Sequence, residues 1–191
     1  MSAAADPTPA APATAAGERA LRYRAAAALA QAERRAQLAW NDLPAWPVWT
    51  ESPAAERDAW LWRLGVYCEA SALRRCIEGR VVRHLAERLG AAQLKHMLET
   101  APDAGRSPPE AWTNRWDPPA ADAAWIAAGR ECALAAVPSA VLRVILRERL
   151  WPGTTPPVPA MNTALAQQAV RAIPYDAGGR EAAIDPAPKK P

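Results

Sequence analysis

The side chains that could hold a metal or move a proton are few and scattered. His84 and His96 are the two histidines, and Cys68, Cys76 and Cys132 form no C-x-x-C pair. A zinc site needs ligands clustered at short spacings, so no metal is expected. Cys132 lies in a run of Ala and Leu, where a thiol reads as a small buried hydrophobe. A cysteine–histidine nucleophile has no local signature here. Glu78, Glu87, Glu99 and Asp103 would act as acid and base only through tertiary proximity, and solvated surface carboxylates are the plain reading. The phosphate-binding, dinucleotide-binding and nucleophile-elbow glycine motifs are all absent. The expectation is a chain without catalytic residues or cofactor, and not an enzyme.

Positive charge is the denser chemistry. Residues 72–90 read ALRRCIEGRVVRHLAERLG. Between 74 and 95, Arg74, Arg75, Arg80, Arg83, Arg88 and Lys95 face only Glu78 and Glu87; six positive against two negative makes +4, above the whole-chain excess of +3. The plain reading is a solvated face, with Arg74–Glu78 and Arg83–Glu87 each adding about 0.2–0.5 kcal/mol at i,i+4. A DNA-recognition helix would want a continuous polar face, which Val81, Val82 and Leu85 interrupt. A membrane-lying helix would want bulky aromatics among the basic residues. A protein-docking face needs neither.

The elements that must position this stretch read as helices. GERALRYRAAAALAQAERRAQLAW, from Glu18 to Trp40, has high helix propensity and no breaker. NDLPAWPVWTESP forces an extended connector, with Trp46 and Trp49 packing down onto the domain. Ser52 as N-cap and Pro53 at the first helical position open a helix running to about Ile77. Gly79 fits the C′ position, where a left-handed residue closes a helix. A short helix from about Arg80 to Leu89 follows, with Val82, Leu85 and Leu89 as a buried seam, and Gly90 closes it. AAQLKHML is a third piece. Residues 101–119 are a long Pro-rich loop, of the kind that carries function, and they hold Trp112 and Trp116. Helix resumes in AADAAWIAAGRECALAAV and breaks at Pro138. Ser139 caps AVLRVILRERL, and one further helix is expected over 160–172. No strand alternation appears.

Length and composition complete the frame. At 191 residues the chain suggests one domain with appendages. It divides into a disordered Ala/Pro tail over 1–17, a helical domain over 18–152, and a Pro-rich linker with a flexible tail over 153–191. The fold class is all-α, with about six to eight short-to-medium helices. With nine Trp and no Phe, tryptophans must be the large aromatic anchors. An odd cysteine count, with Cys68 and Cys76 on one helix, argues against a disulfide framework and for a reducing compartment. The first residues lack the basic and Leu-rich regions of a signal peptide. The longest apolar run, CALAAVPSAVL, is too short to cross a bilayer, so a cytoplasmic location is expected.

The succession LWRLGVYCEASALRRCIEGRVVRHLAERLGAAQLKHMLETAP resembles the K component of type III secretion systems (the SctK/YscK family). The pattern is an apolar helix, a leucine with a basic pair (Leu73, Arg74, Arg75), a G-x-x-V-x-x-L-x-x-x-LG unit (Gly79, Val82, Leu85, Leu89, Gly90) and a Leu-rich helix (Leu94, Leu98). AWIAAGRECALAAVPSAVLRVILRERLWP is similar to the family's second block, ending in Arg149, Leu150 and Pro152. The resemblance covers roughly 43–152; the Trp content, the Pro-rich loop 106–119 and the long tail depart from its pattern and resemble the plant-pathogen (Hrp-type) branch or a related lineage more than the animal-pathogen one. It implies a cytoplasmic, non-enzymatic helical adaptor of the sorting platform, linking the inner-membrane ring protein (SctD) to the pod protein (SctQ). Such a protein sits at the inner membrane through those partners, without inserting in it and without nucleic acid. The resemblance transfers no binding residue. On chemistry, the candidates are Arg74, Arg75, Arg80, Arg83 and Arg88, where charge would steer association, and Trp112 and Trp116, where aromatic anchors would supply affinity. The competing expectations are a helical nucleic-acid-binding regulator and a type III substrate or chaperone.

Overall fold

A computed structural model describes residues 40–76, 78–102, 116–153 and 162–175. Among them are seven α-helices and no strand, so the chain is all-α. The tails, the expected helix over Glu18–Trp40 but for its last residue, most of the Pro-rich loop and Trp112 lie outside the described residues.

The central helix, α1 (Ala54–Cys68), buries Trp60, Leu61, Trp62, Leu64, Gly65, Val66 and Tyr67. Burial on nearly every side means that it is enclosed rather than laid on a surface. Its closest companion is α5 (Pro118–Ala136), which buries Ala121, Trp125, Gly129, Cys132, Ala133 and Leu134. The pair runs antiparallel, since Leu61 meets Gly129 while Gly65 meets Trp125. Two glycines make the crossing possible. A Cβ on Gly65 would fall 1.8 Å from the Trp125 carbonyl oxygen, and one on Gly129 would fall 1.9 Å from that of Leu61. Both obstacles are backbone, which a neighbouring rotamer change cannot remove.

Around this pair, α2 (Ala70–Arg75), α3 (Gly79–Leu89) and α4 (Ala91–Thr100) form a succession of short helices. The helices α6 (Ala140–Leu150) and α7 (Thr163–Ala172) complete the unit. Ser139 caps α6 as expected, its hydroxyl accepting from the Leu142 N–H at 3.2 Å. Asn162 does the same for α7, accepting from Ala164 N–H at 2.8 Å. On α7, Ala166 and Ala169 are buried, and the Ile173 carbonyl just beyond it accepts from Trp60 Nε1 at 2.9 Å. The packed unit therefore extends past residue 152. Trp46 and Trp49, within and beside two short 3-10 turns (Trp40–Ala45 and Val48–Glu51), are buried as expected.

Several local expectations are corrected. Pro53 is itself the N-cap of α1, its extended backbone (ψ 144°) presenting the carbonyl that accepts from Arg57 N–H at 3.0 Å, and no side chain caps the end. The helix does not run to Ile77. It turns at Glu69 (φ −95°, ψ 8°), where neither Gly nor Pro gives a local signal. Cys68 and Cys76 consequently flank α2 instead of sharing one helix, and none of the three cysteines is in a disulfide. Gly79 has no left-handed backbone and opens α3, while Glu78, as its N-cap, accepts from Val81 N–H. Gly90 closes α3 as expected, with φ 83° and ψ 142°. That conformation is nearly confined to glycine, and it lets one residue end α3 and begin α4.

Candidate protein-docking surface

Three short helices carry the arginine stretch, and its charges have different fates. Arg74, at the end of α2, is exposed and reaches across to the end of α4. Its Nε donates to the Leu98 carbonyl at 2.6 Å and its Nη2 to that of Ala101. The last carbonyls of a helix lack intrahelical donors, and a guanidinium placed there satisfies them while complementing the negative end of the dipole. Tyr67 Oη donates to the adjacent Thr100 carbonyl at 3.3 Å. Arg74 thus ties α2 to α4, and neither it nor Glu78 forms the expected i,i+4 pair. Glu78 instead accepts from Arg80 Nε at 3.1 Å.

Arg88, although 44 % exposed, is tied to α5. On α3, His84 and Arg88 stand one turn apart, and both reach Asp122 on α5. The Asp122 Oδ1 oxygen is 3.0 Å from His84 Nε2 and accepts from Trp62 Nε1 at 2.7 Å, while Oδ2 accepts from Arg88. The Arg88 guanidinium also lies over the Trp62 ring at 4.2 Å, a cation–π contact. His84 is itself held between rings, stacked on Trp125 at 6.2 Å and edge-on to Trp116 at 5.5 Å. One half-buried carboxylate therefore joins α1, α3 and α5. The arrangement holds no nucleophile, and among the described residues no three His, Cys, Asp or Glu side chains gather as a metal would require. Its chemistry is positional: it latches α3 to the central pair.

Arg75, Arg80 and Arg83 are exposed as well. Arg83 makes no ion pair among the described residues, so the expected pair with Glu87 does not form. Between α3 and α4 lies an open groove of about 620 Å³. Val82, Ala86, Ala91, Leu94 and Leu98 give it an apolar floor, and Arg74, Lys95 and Glu99 stand at its margins. Val82 was expected in the buried seam with Leu85 and Leu89. Only Leu85 is fully buried, Leu89 is half-buried, and Val82 is 38 % exposed. The seam that turns inward is Val81 and Leu85, because the latch residues His84 and Arg88 set which face of α3 meets the core.

The tryptophans divide as well. Trp116 is half-buried against His84 and Trp125, which makes it part of the packing around the latch. A second aromatic cluster joins Trp49 to Trp60 (5.6 Å) and Trp151 (6.1 Å). Arg130 lies 4.6 Å over Trp151, and Arg149 lies 5.8 Å over Trp46. Burial lowers the Arg130 pKa from its ordinary value, against the raising influence of the Asp58 and Glu131 carboxylates. Arg147 Nη2 donates to Glu131 at 2.6 Å.

Sequence reasoning missed Asp122 and Trp62 as latch residues. Their separation of 60 positions carries no local signal. The His84–Arg88 spacing was legible as one helix face, though not what it would meet. Among the described residues no helix is long and apolar enough to cross a membrane. No protein-family model, no curated protein and no solved structure matches this chain.

Proposed function

We propose that this chain is a non-enzymatic adaptor of a bacterial type III secretion sorting platform, working in the cytoplasm between an SctD-like ring protein and an SctQ-like pod protein. The family resemblance brings the platform into the reading. The observation that carries the docking role is the surface itself: an apolar groove lined by Val82, Ala86, Leu94 and Leu98 has Arg74 and Lys95 at its margins, on helices that also expose Arg75, Arg80 and Arg83. Charges at the edge of such a surface speed and orient association, and apolar anchors hold the partner. The α1–α5 pair supplies a rigid base, and peripheral attachment to the inner membrane follows through the ring protein.

Co-purification with the SctD and SctQ homologues of the same gene cluster tests the assignment. Association with at least one is expected, and none with either at low and moderate salt sinks it. Reversing Arg75, Arg80 and Arg83 together to Glu is expected to weaken one contact about tenfold, or about 1.4 kcal/mol, with the circular dichroism spectrum unchanged. Unaltered affinity removes these arginines from the site. Arg74→Glu behaves differently: it removes the donors to the α4 carbonyls and lowers the melting temperature, a cost of about 1–3 kcal/mol.

A further inference from the structure

We infer that the groove between α3 and α4 is the seat of an acidic amphipathic helix contributed by a partner protein. This rests on reading the chain as a docking adaptor and adds which cleft is used and what chemistry fills it. The groove is apolar where an occupant would lie, with Val82 and Ala86 on one wall and Leu94 and Leu98 on the other. Val82 is among the few large apolar side chains left exposed on the described surface. The wall formed by α4 is ten residues long, about 15 Å at the rise of a helix. That length accepts two to three turns presenting apolar residues at i, i+3/i+4 and i+7.

Charge selects the occupant. From 74 to 99 there are six basic side chains against three acidic ones, and at the groove margins Arg74 and Lys95 outnumber Glu99, which lies 3.8 Å from Lys95. A second copy of the chain would bring this basic face against itself. The chain's own segment 18–39 is a poor occupant, since it carries five arginines against two glutamates. The tail 176–191 has Ile184 as its one large aliphatic side chain and equal numbers of acidic and basic residues. A helix with a Leu- or Ile-rich stripe flanked by Asp and Glu meets both the floor and the rim.

The probe is a dye-labelled peptide of about fifteen residues, with leucines on one helical face and glutamates elsewhere, titrated onto the full chain by fluorescence anisotropy. Two control peptides carry lysine in place of glutamate, or the same composition with the leucines scattered. The acidic amphipathic peptide is expected to bind at least about tenfold tighter than either control. Val82→Asp, at an exposed position, should weaken it about tenfold with an unchanged melting curve, and Lys95→Glu should weaken it with a shallower salt dependence. Equal binding of the lysine or scattered peptide overturns the inference, as does intact binding to Val82→Asp. A concentration-dependent dimer that Val82→Asp dissolves also overturns it, in favour of a second copy. Loss of peptide selectivity with intact co-purification removes the groove assignment alone. Peptide selectivity without co-purification removes the platform assignment alone.

Discussion

Gly129→Ala, and equally Gly65→Ala, is expected to lower the melting temperature by roughly 10 °C. Each new methyl group would lie less than 2 Å from a carbonyl oxygen of the facing helix. Overpacking a core costs about 1–3 kcal/mol when side chains can shift. Here the obstacle is main chain, so α1 and α5 must move apart along the most extensive contact of the fold. The net loss is about 3 kcal/mol, even after the gain of about 1 kcal/mol that alanine brings to a helix interior. Gly79→Ala is the matched control, because a Cβ there meets nothing within 4 Å and the backbone is not left-handed. Thermal melts followed by circular dichroism check all three. A melting point within about 2 °C of the parent for Gly129→Ala would contradict the close crossing.

Asp122→Ala is the second large effect, and it bears on function. The substitution removes the shared acceptor of Trp62, His84 and Arg88. It strands the Trp62 N–H, on a side chain only 3 % exposed, and leaves Arg88 without its carboxylate. A hydrogen bond to a charged group contributes about 1.5–3 kcal/mol. Because Asp122 and Arg88 are partly open to water, the expected loss is about 2 kcal/mol. Asp122→Asn keeps an acceptor for Trp62 but not the charge, and should lose about half as much. The local consequence matters more than the global one. With the latch gone, α3 keeps only its apolar and ring contacts (Val81, Leu85, Leu89 and His84 against the tryptophans), so amide exchange over 79–89 should quicken while the inner turns of α1 stay protected. The basic surface and the groove both depend on α3, so partner affinity should fall with it. Unchanged exchange in α3 would mean that the latch does not position the surface.

Much of the fold was legible locally. Helical periodicity, the Ser139 cap and the Gly90 corner depend on residues within one or two turns of each other, and each forms as the chain suggests. The burial of Trp46, Trp49 and Cys132 was readable because an apolar side chain has one favourable destination in a helical domain. The turn at Glu69 and the role of Gly79 were not, since a glycine suits the end of one helix and the start of the next almost equally well. The docking surface was half legible. Its charges were visible, but the use of Arg74 and Arg88 to tie helices together was not.

The amino-acid sequence by itself determined the class of the protein: all-α, tryptophan-anchored, with a concentrated basic stretch and no recognisable catalytic motif. Those properties are sums over local choices, and local choices are written in adjacent residues. The tertiary structure alone decided which arginines tie helices together, which face of α3 is covered, and that Val82 lies open on a groove. Each depends on Asp122 reaching α3 from α5 and on two glycines 64 positions apart letting α1 and α5 meet. Long-range pairings of this kind leave no periodic trace, because the energy that selects them exists only once distant helices touch.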